Sequence, residues 1–280
     1  MKKLIFLVGV LLPVWCFSQD FHLTLFGGFA NYQGDLQEKR ISLDQSYGAI
    51  GAGLRYDINR HFAARAGFVY GTIGADDKKN GASLQPRNLN FKSGLLEGNL
   101  LLEYNVLDLT YHRLTPYFFG GISIFHFNPY TYDTLGNKIL LQPLGTEGQG
   151  LAAYPDRKMY RLTRFGVPFG GGIKLRISRD MVLGYEIGLR KTFTDYLDDV
   201  STTYADATLL ATERGPKAVE MAYRGGELKN GNPAYPAEGT KRGGAAYDDW
   251  YYFHGITLSI RLNGLNRKRG SQLDCPVNVR

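Results

Sequence analysis

Cysteine is scarce: there are two in 280 residues, Cys16 and Cys275. Cys16 falls in the leader described below, so Cys275 is left alone and no intrachain disulfide can form even in an oxidising compartment. Long apolar runs are missing too. Nothing after residue 20 approaches the roughly 18 uninterrupted apolar residues of a membrane helix, which excludes a helical anchor. No basic run is interleaved with aromatics, which argues against a nucleic-acid surface. Neither the five histidines nor the serines form a catalytic motif such as a Gly-x-Ser-x-Gly elbow. No enzyme is expected, and no cofactor or resident metal.

Met1 to Asp20 supplies two lysines, an apolar core and small residues at Cys16 and Ser18. This is the pattern of a secretory signal peptide, residues 1–18, cut between Ser18 and Gln19. Acylation of Cys16 is the rival reading, and Trp15 stands where that processing wants a small residue. Removing Lys2 and Lys3 with the leader lowers the formal charge from +7 to +5. An exported chain without a helical anchor can still cross a membrane as a closed barrel, because closure satisfies every backbone polar group. The expected location is a Gram-negative outer membrane.

The chain is rich in glycine (35), tyrosine (19) and phenylalanine (16). Trp250 to Asn263 shows how they are arranged. Trp250, Tyr252, His254, Ile256, Leu258, Ile260 and Leu262 form one row, and Tyr251, Phe253, Gly255, Thr257, Ser259, Arg261 and Asn263 the other. A period of two is a strand signal, and about 9 to 11 residues suffice for a tilted strand to cross a bilayer. A soluble, ligand-holding barrel would show the same alternation turned inside out. The second row is mostly Gly, Ser, Thr and Ala with an occasional charge, which suits a narrow lumen better than bulk water.

The same pattern recurs at Phe21 to Tyr32, Ser46 to Asp57, Phe62 to Thr72, Lys92 to Asn105, Thr115 to Asn128, Arg164 to Ser178 and Met181 to Phe193. The facing of Thr115 to Asn128 stays open, because both its rows are apolar. Connections alternate short and long. The expected fold is therefore all-β: an eight-stranded antiparallel transmembrane β-barrel over 19–263, with short periplasmic turns, long extracellular loops and a basic periplasmic tail at 264–280.

The inward rows collect Glu97, Glu103 and Glu186 with Arg55, Arg65, Lys174, Arg176, Arg190 and Arg261. Eight strands leave a lumen that side chains just fill, so these charges are expected to pair as a plug; the alternative is a filter in an open pore. Ser123 and His126 invite a lipid-hydrolase reading, but a spacing of three puts them on opposite faces of a strand. Asp195, Asp198, Asp199 and Asp206 offer oxygens for calcium but match no defined cation loop, so a solvated acidic turn is expected. Arg267, Lys268 and Arg269 are either a solvated tail or a docking strip for a periplasmic partner.

Three stretches then share a likeness. TPYFFGGISIFHFNP (Thr115 to Pro129), LQPLGTEGQG (Leu141 to Gly150) and TDYLDDVSTTY (Thr194 to Tyr204) resemble the PorG-like outer-membrane barrels of the Bacteroidetes type IX secretion system. The likeness runs from the leader through the last strand. It implies a small barrel without catalysis, embedded in outer-membrane lipid and associated with a periplasmic ring made of a lipoprotein and its partner protein. It also implies a part in protein export and, in some species, gliding. The family supplies no catalytic residues. A chain that continues past its last strand departs from the usual terminal aromatic and makes the tail a candidate ring contact. A lipid-modifying outer-membrane enzyme is the alternative function.

Overall fold

In the computed structural model, residues 21–37, 39, 42 and 44–262 are described. Nine strands form: β1 (Phe21–Gln33), β2 (Tyr47–Asp57), β3 (Phe62–Asp76), β4 (Asn90–Asn105), β5 (Leu114–Tyr132), β6 (Lys138–Leu140), β7 (Thr163–Arg176), β8 (Met181–Thr192) and β9 (Trp250–Arg261). Each long strand pairs antiparallel with its neighbours in sequence, apart from the short β6, which lies along the upper end of β5. β9 returns to pair with β1 from His22↔Arg261 to Gln33↔Trp250 and closes an eight-stranded barrel. At this seam Gly28 faces Gly255. A Cβ on Gly28 would meet the His254 carbonyl and lie 2.6 Å from the Gly255 Cα, so the two backbones approach only because both residues lack side chains.

The apolar row points outward. Ile50, Phe68, Ile122 and Phe165 are 68, 70, 64 and 70% exposed, and Leu25, Leu54, Leu100, Ile173, Ile187 and Ile256 join them around the wall. A contiguous belt of this kind is untenable in water and is the lipid contact of a bilayer-spanning barrel. The protein is an outer-membrane β-barrel. Its short links, at 58–61, 106–113 and 177–180, define the periplasmic end.

β5 settles its open facing. Thr115, Tyr117, Phe119, Ser123, Phe125 and Phe127 are buried inside, while Phe118, Ile122, Ile124 and His126 point out. At about 3.3 Å per residue, the 19 residues of β5 extend well beyond what one tilted crossing requires. The extra length carries β3, β4 and β5 into a packed extracellular cap. There the main apolar core lies, with Tyr32, Leu36, Ile73, Phe91, Phe127, Tyr160, Leu197, Val200 and Met221 buried together.

The long loops are thus ordered elements rather than simple connections. After β8 the chain forms α1 (Ala207–Arg214) and α2 (Pro216–Ala222). Asp206 caps α1 by accepting from the Leu209 amide at 2.7 Å, a contact usually contributing about 1 kcal/mol. Gly215, at φ +87°, lets the chain break between the helices, and Pro216 starts α2.

Candidate functional site

The lumen holds two ionic layers. In the lower one, the Lys174 Nζ donates to Glu103 at 2.6 Å, and the same carboxylate stands 3.1 Å from Arg55 Nε and 3.0 Å from Arg65 Nε. Arg65 also donates to both oxygens of Glu186, at 2.9 and 3.3 Å, and the Tyr117 hydroxyl donates to Glu186 at 2.5 Å. In the upper layer Glu97 accepts from Arg190 at 3.0 and 3.1 Å, from Tyr251 at 2.7 Å and from Asn99 at 2.7 Å. Asp57, which the strand pattern did not single out, lies 2.7 Å from Arg55. With it, four carboxylates face the cations Arg55, Arg65, Lys174 and Arg190. Aromatic faces close the gaps: Tyr117 covers Lys174, Phe119 covers Arg65 and Phe253 covers Arg190.

Arg176 and Arg261 do not belong to this network. Each is the last residue of its strand and half-buried at the periplasmic mouth. Arg176 donates to the Thr110 carbonyl at 2.8 Å, and Arg261 Nε has no hydrogen-bond partner among the described residues. Alternation assigned their face correctly but says nothing about height along the barrel. The mouth is a cup of about 760 Å³, lined by Arg60, Arg113, Arg176, Arg179 and Arg261 with Asp57 and Asp108. The tail residues Arg267, Lys268 and Arg269 lie outside the described residues.

In the cap, the segments at 141–150 and 194–204 interlock. Glu147 is fully buried and accepts from the amides of Ser201 and Thr202, both at 3.0 Å, from the Thr202 hydroxyl at 2.7 Å and from Arg242 at 3.0 Å. Gly145, Gly148 and Gly150, at φ +54°, +77° and +74°, wind the chain around that carboxylate. Arg242 also donates to the Asp199 carbonyl at 2.7 Å, and Arg87 ties the Arg242 carbonyl to the Asp77 carboxylate.

The acidic turn is not solvated. Asp198 and Asp199 are buried, and Asp206 is spent on the helix cap. Asp199 accepts from Thr146 at 2.5 Å and Tyr160 at 2.7 Å; burial pushes it up to about 6 against the opposing pull of Arg242. Burial and the nearby Asp35 raise Asp198 to about 8. The Tyr32 hydroxyl sits between Asp198 (2.6 Å) and Asp249 (3.0 Å). One hydroxyl proton cannot serve two carboxylates, so a proton resides on one of them. Burial, followed by the Asp198 and Asp195 charges, also raises Asp249. Among the described residues no group of three or more His, Cys, Asp or Glu could hold a metal ion. Ser123 faces the lumen, while His126 is on the outer wall beside the Thr163 hydroxyl at 3.0 Å, so the two form no dyad.

A family described as Domain of unknown function (DUF6089) matches residues 1–139 and 147–212. The chain belongs to this DUF6089 family. The matched stretches include most of the barrel strands and both halves of the cap contact around Glu147. No curated protein matches the sequence. Solved structures similar to it include neisserial surface protein A, at TM-score 0.43 and 9% identity, covering 86% of this chain and 96% of that one. Ail of Yersinia pestis gives 0.41 and 7%, covering 87% and 98%. OprG of Pseudomonas aeruginosa gives 0.38 and 13%, covering 87% and 97%.

Proposed function

We propose that this DUF6089 barrel is a non-enzymatic component of a type IX protein-secretion machine, which anchors or positions the machine's periplasmic ring at the outer membrane. The supporting observation is a filled lumen beneath a packed cap. A void lined by Arg65, Asn99, Glu186 and Arg190 measures about 30 Å³, room for about one water. The molecule therefore offers surfaces instead of a passage. Two of the stretches that resemble PorG-like barrels meet at Glu147, so the likeness covers one folded unit and not scattered words.

On this reading the ring lipoprotein and its partner dock against the arginine-lined mouth and the tail beyond residue 263. A deletion strain is expected to lose export of surface proteins while keeping normal lipid A acylation. Intact export with altered acylation would replace this reading with that of a lipid-modifying enzyme. Arg60→Glu combined with Arg179→Glu, both exposed at the mouth, is expected to reduce co-purification of the ring proteins with a folded barrel. Undiminished co-purification would remove the mouth from the account.

A further inference from the structure

A crevice of about 930 Å³ lies outside the barrel, where the cap overhangs the wall of β8 and β9. Its floor is built from outward-facing residues. Ile187 pairs with His254 and Leu189 with Tyr252 in the β8–β9 ladder, and Trp250 stands above them. Tyr185 and Ile187 are 49 and 47% exposed and run without a break into the lipid-facing belt at Ile256. The roof is cap: Asp35, Lys241, Gly244, Tyr247 and Asp248.

The floor therefore belongs to the hydrocarbon and the roof to the headgroup layer of the outer leaflet. Anything that fills the crevice from the membrane has an acyl chain below and a polar group above. The polar part is furnished for a sugar. Trp250 and Tyr247 supply aromatic faces for the apolar side of a pyranose ring. Asp248 offers an acceptor, and Asp195 Oδ2 is buried there without a hydrogen-bond partner among the described residues. Burial raises Asp195 to about 9, so at neutral pH it bears a proton to donate. Lys241 is an exposed cation placed to meet an anionic substituent, while the nearby Asp35 carboxylate is engaged by the Gly244 amide at 2.7 Å.

We propose that this crevice is a binding site for an anionic glycolipid of the outer leaflet, its sugar held between Trp250, Tyr247 and Asp195 and one acyl chain laid on Ile187 and Leu189. The site sits at the opposite end of the barrel from the arginine-lined mouth and stands or falls independently of it.

The sequence contains two tryptophans, Trp15 and Trp250, so the full chain carrying Trp15→Phe reports from the crevice alone. This protein is placed in phosphatidylcholine nanodiscs and titrated with lipid A, an acylated, phosphorylated glucosamine disaccharide. A saturable shift in Trp250 emission is expected, with phosphatidylglycerol at the same mole fraction giving none. Tyr247→Ala and Lys241→Ser, at exposed cap positions, are each expected to weaken lipid A binding about tenfold while the barrel keeps its folded electrophoretic mobility. Absence of a saturable shift, an equal response to phosphatidylglycerol, or unchanged affinity in both folded variants would overturn the proposal.

Discussion

Arg55 and Arg65 stand directly opposite each other in the β2–β3 ladder, and a single carboxylate, Glu103, lies within 3.1 Å of both. Like charges facing across a ladder destabilise a sheet, and with both side chains largely buried water screens them little. Glu103 converts that repulsion into a bridge and receives Lys174 as well.

Removing Glu103 should therefore be severe. Glu103→Ala leaves three buried cations short of their shared partner, and breaking a buried ionic cluster on one side typically costs about 3–5 kcal/mol. Urea unfolding in detergent or lipid is expected to shift by that order. Glu103→Ala combined with Lys174→Met deletes one charge of each sign and should regain part of the loss, whereas a double variant as weak as the single would mean that charge balance is not what Glu103 supplies.

Glu147 does a similar task outside the bilayer, where it joins segments that are 54 residues apart. Glu147→Gln keeps the shape but removes the charge that Arg242 requires. Proteolysis within 194–249 is expected to accelerate at least tenfold, while the barrel retains its resistance to unfolding. Equal destabilisation of cap and barrel would show that the two melt as one unit.

What the sequence disclosed follows from periodicity. Strands such as β4 alternate Leu96, Leu100 and Leu102 with Glu97, Asn99 and Glu103, and a period of two marks both their existence and their facing. β5 defeats that reading because Tyr117, Phe119, Phe125 and Phe127 fill the interior as Phe118, Ile122 and Ile124 coat the exterior. The cap was hidden for another reason: irregular chain has no period. A run such as Asp198 and Asp199 normally signals water, and the distant hydroxyls of Tyr32, Thr146 and Tyr160, together with the Val200 amide and the charge of Arg242, make its burial tolerable. The sharp turns at Gly145, Gly148 and Gly150 were the one local clue, a cluster of glycines around an acid.

Those buried carboxyls give the cap a pH dependence opposite to ordinary acid denaturation. Asp199, Asp198 and Asp195 are raised to about 6, 8 and 9, chiefly by burial. In the unfolded chain they would ionise near 4. The folded cap therefore binds more protons across this interval, and its stability falls as pH rises from about 4 through 9. Hydrogen-exchange protection at 195–204, corrected for intrinsic rates, is expected to be higher at pH 6 than at pH 9. Asp195→Asn with Asp198→Asn should flatten the difference, and protection that rises with pH would contradict the assignment.

The filled lumen makes a last prediction. Glu97 and Arg190 cross the upper layer and are held by Tyr251 and Asn99, with Phe253 against the guanidinium. Ion passage requires both ionic layers to part, so the protein in a planar bilayer should show no steady conductance of porin size. Glu97→Ala with Arg190→Ala removes both charges together and avoids leaving one unpaired ion. The lower layer, Glu103 with Arg55, Arg65 and Lys174, still closes the path, so that variant should stay silent as well. Clearing Glu103 and Lys174 in addition, with Glu147→Gln loosening the cap that covers the outer end, should produce small cation- and anion-permeable events. A steady porin-sized current through the unaltered protein would show that the charges line a pore and do not plug one.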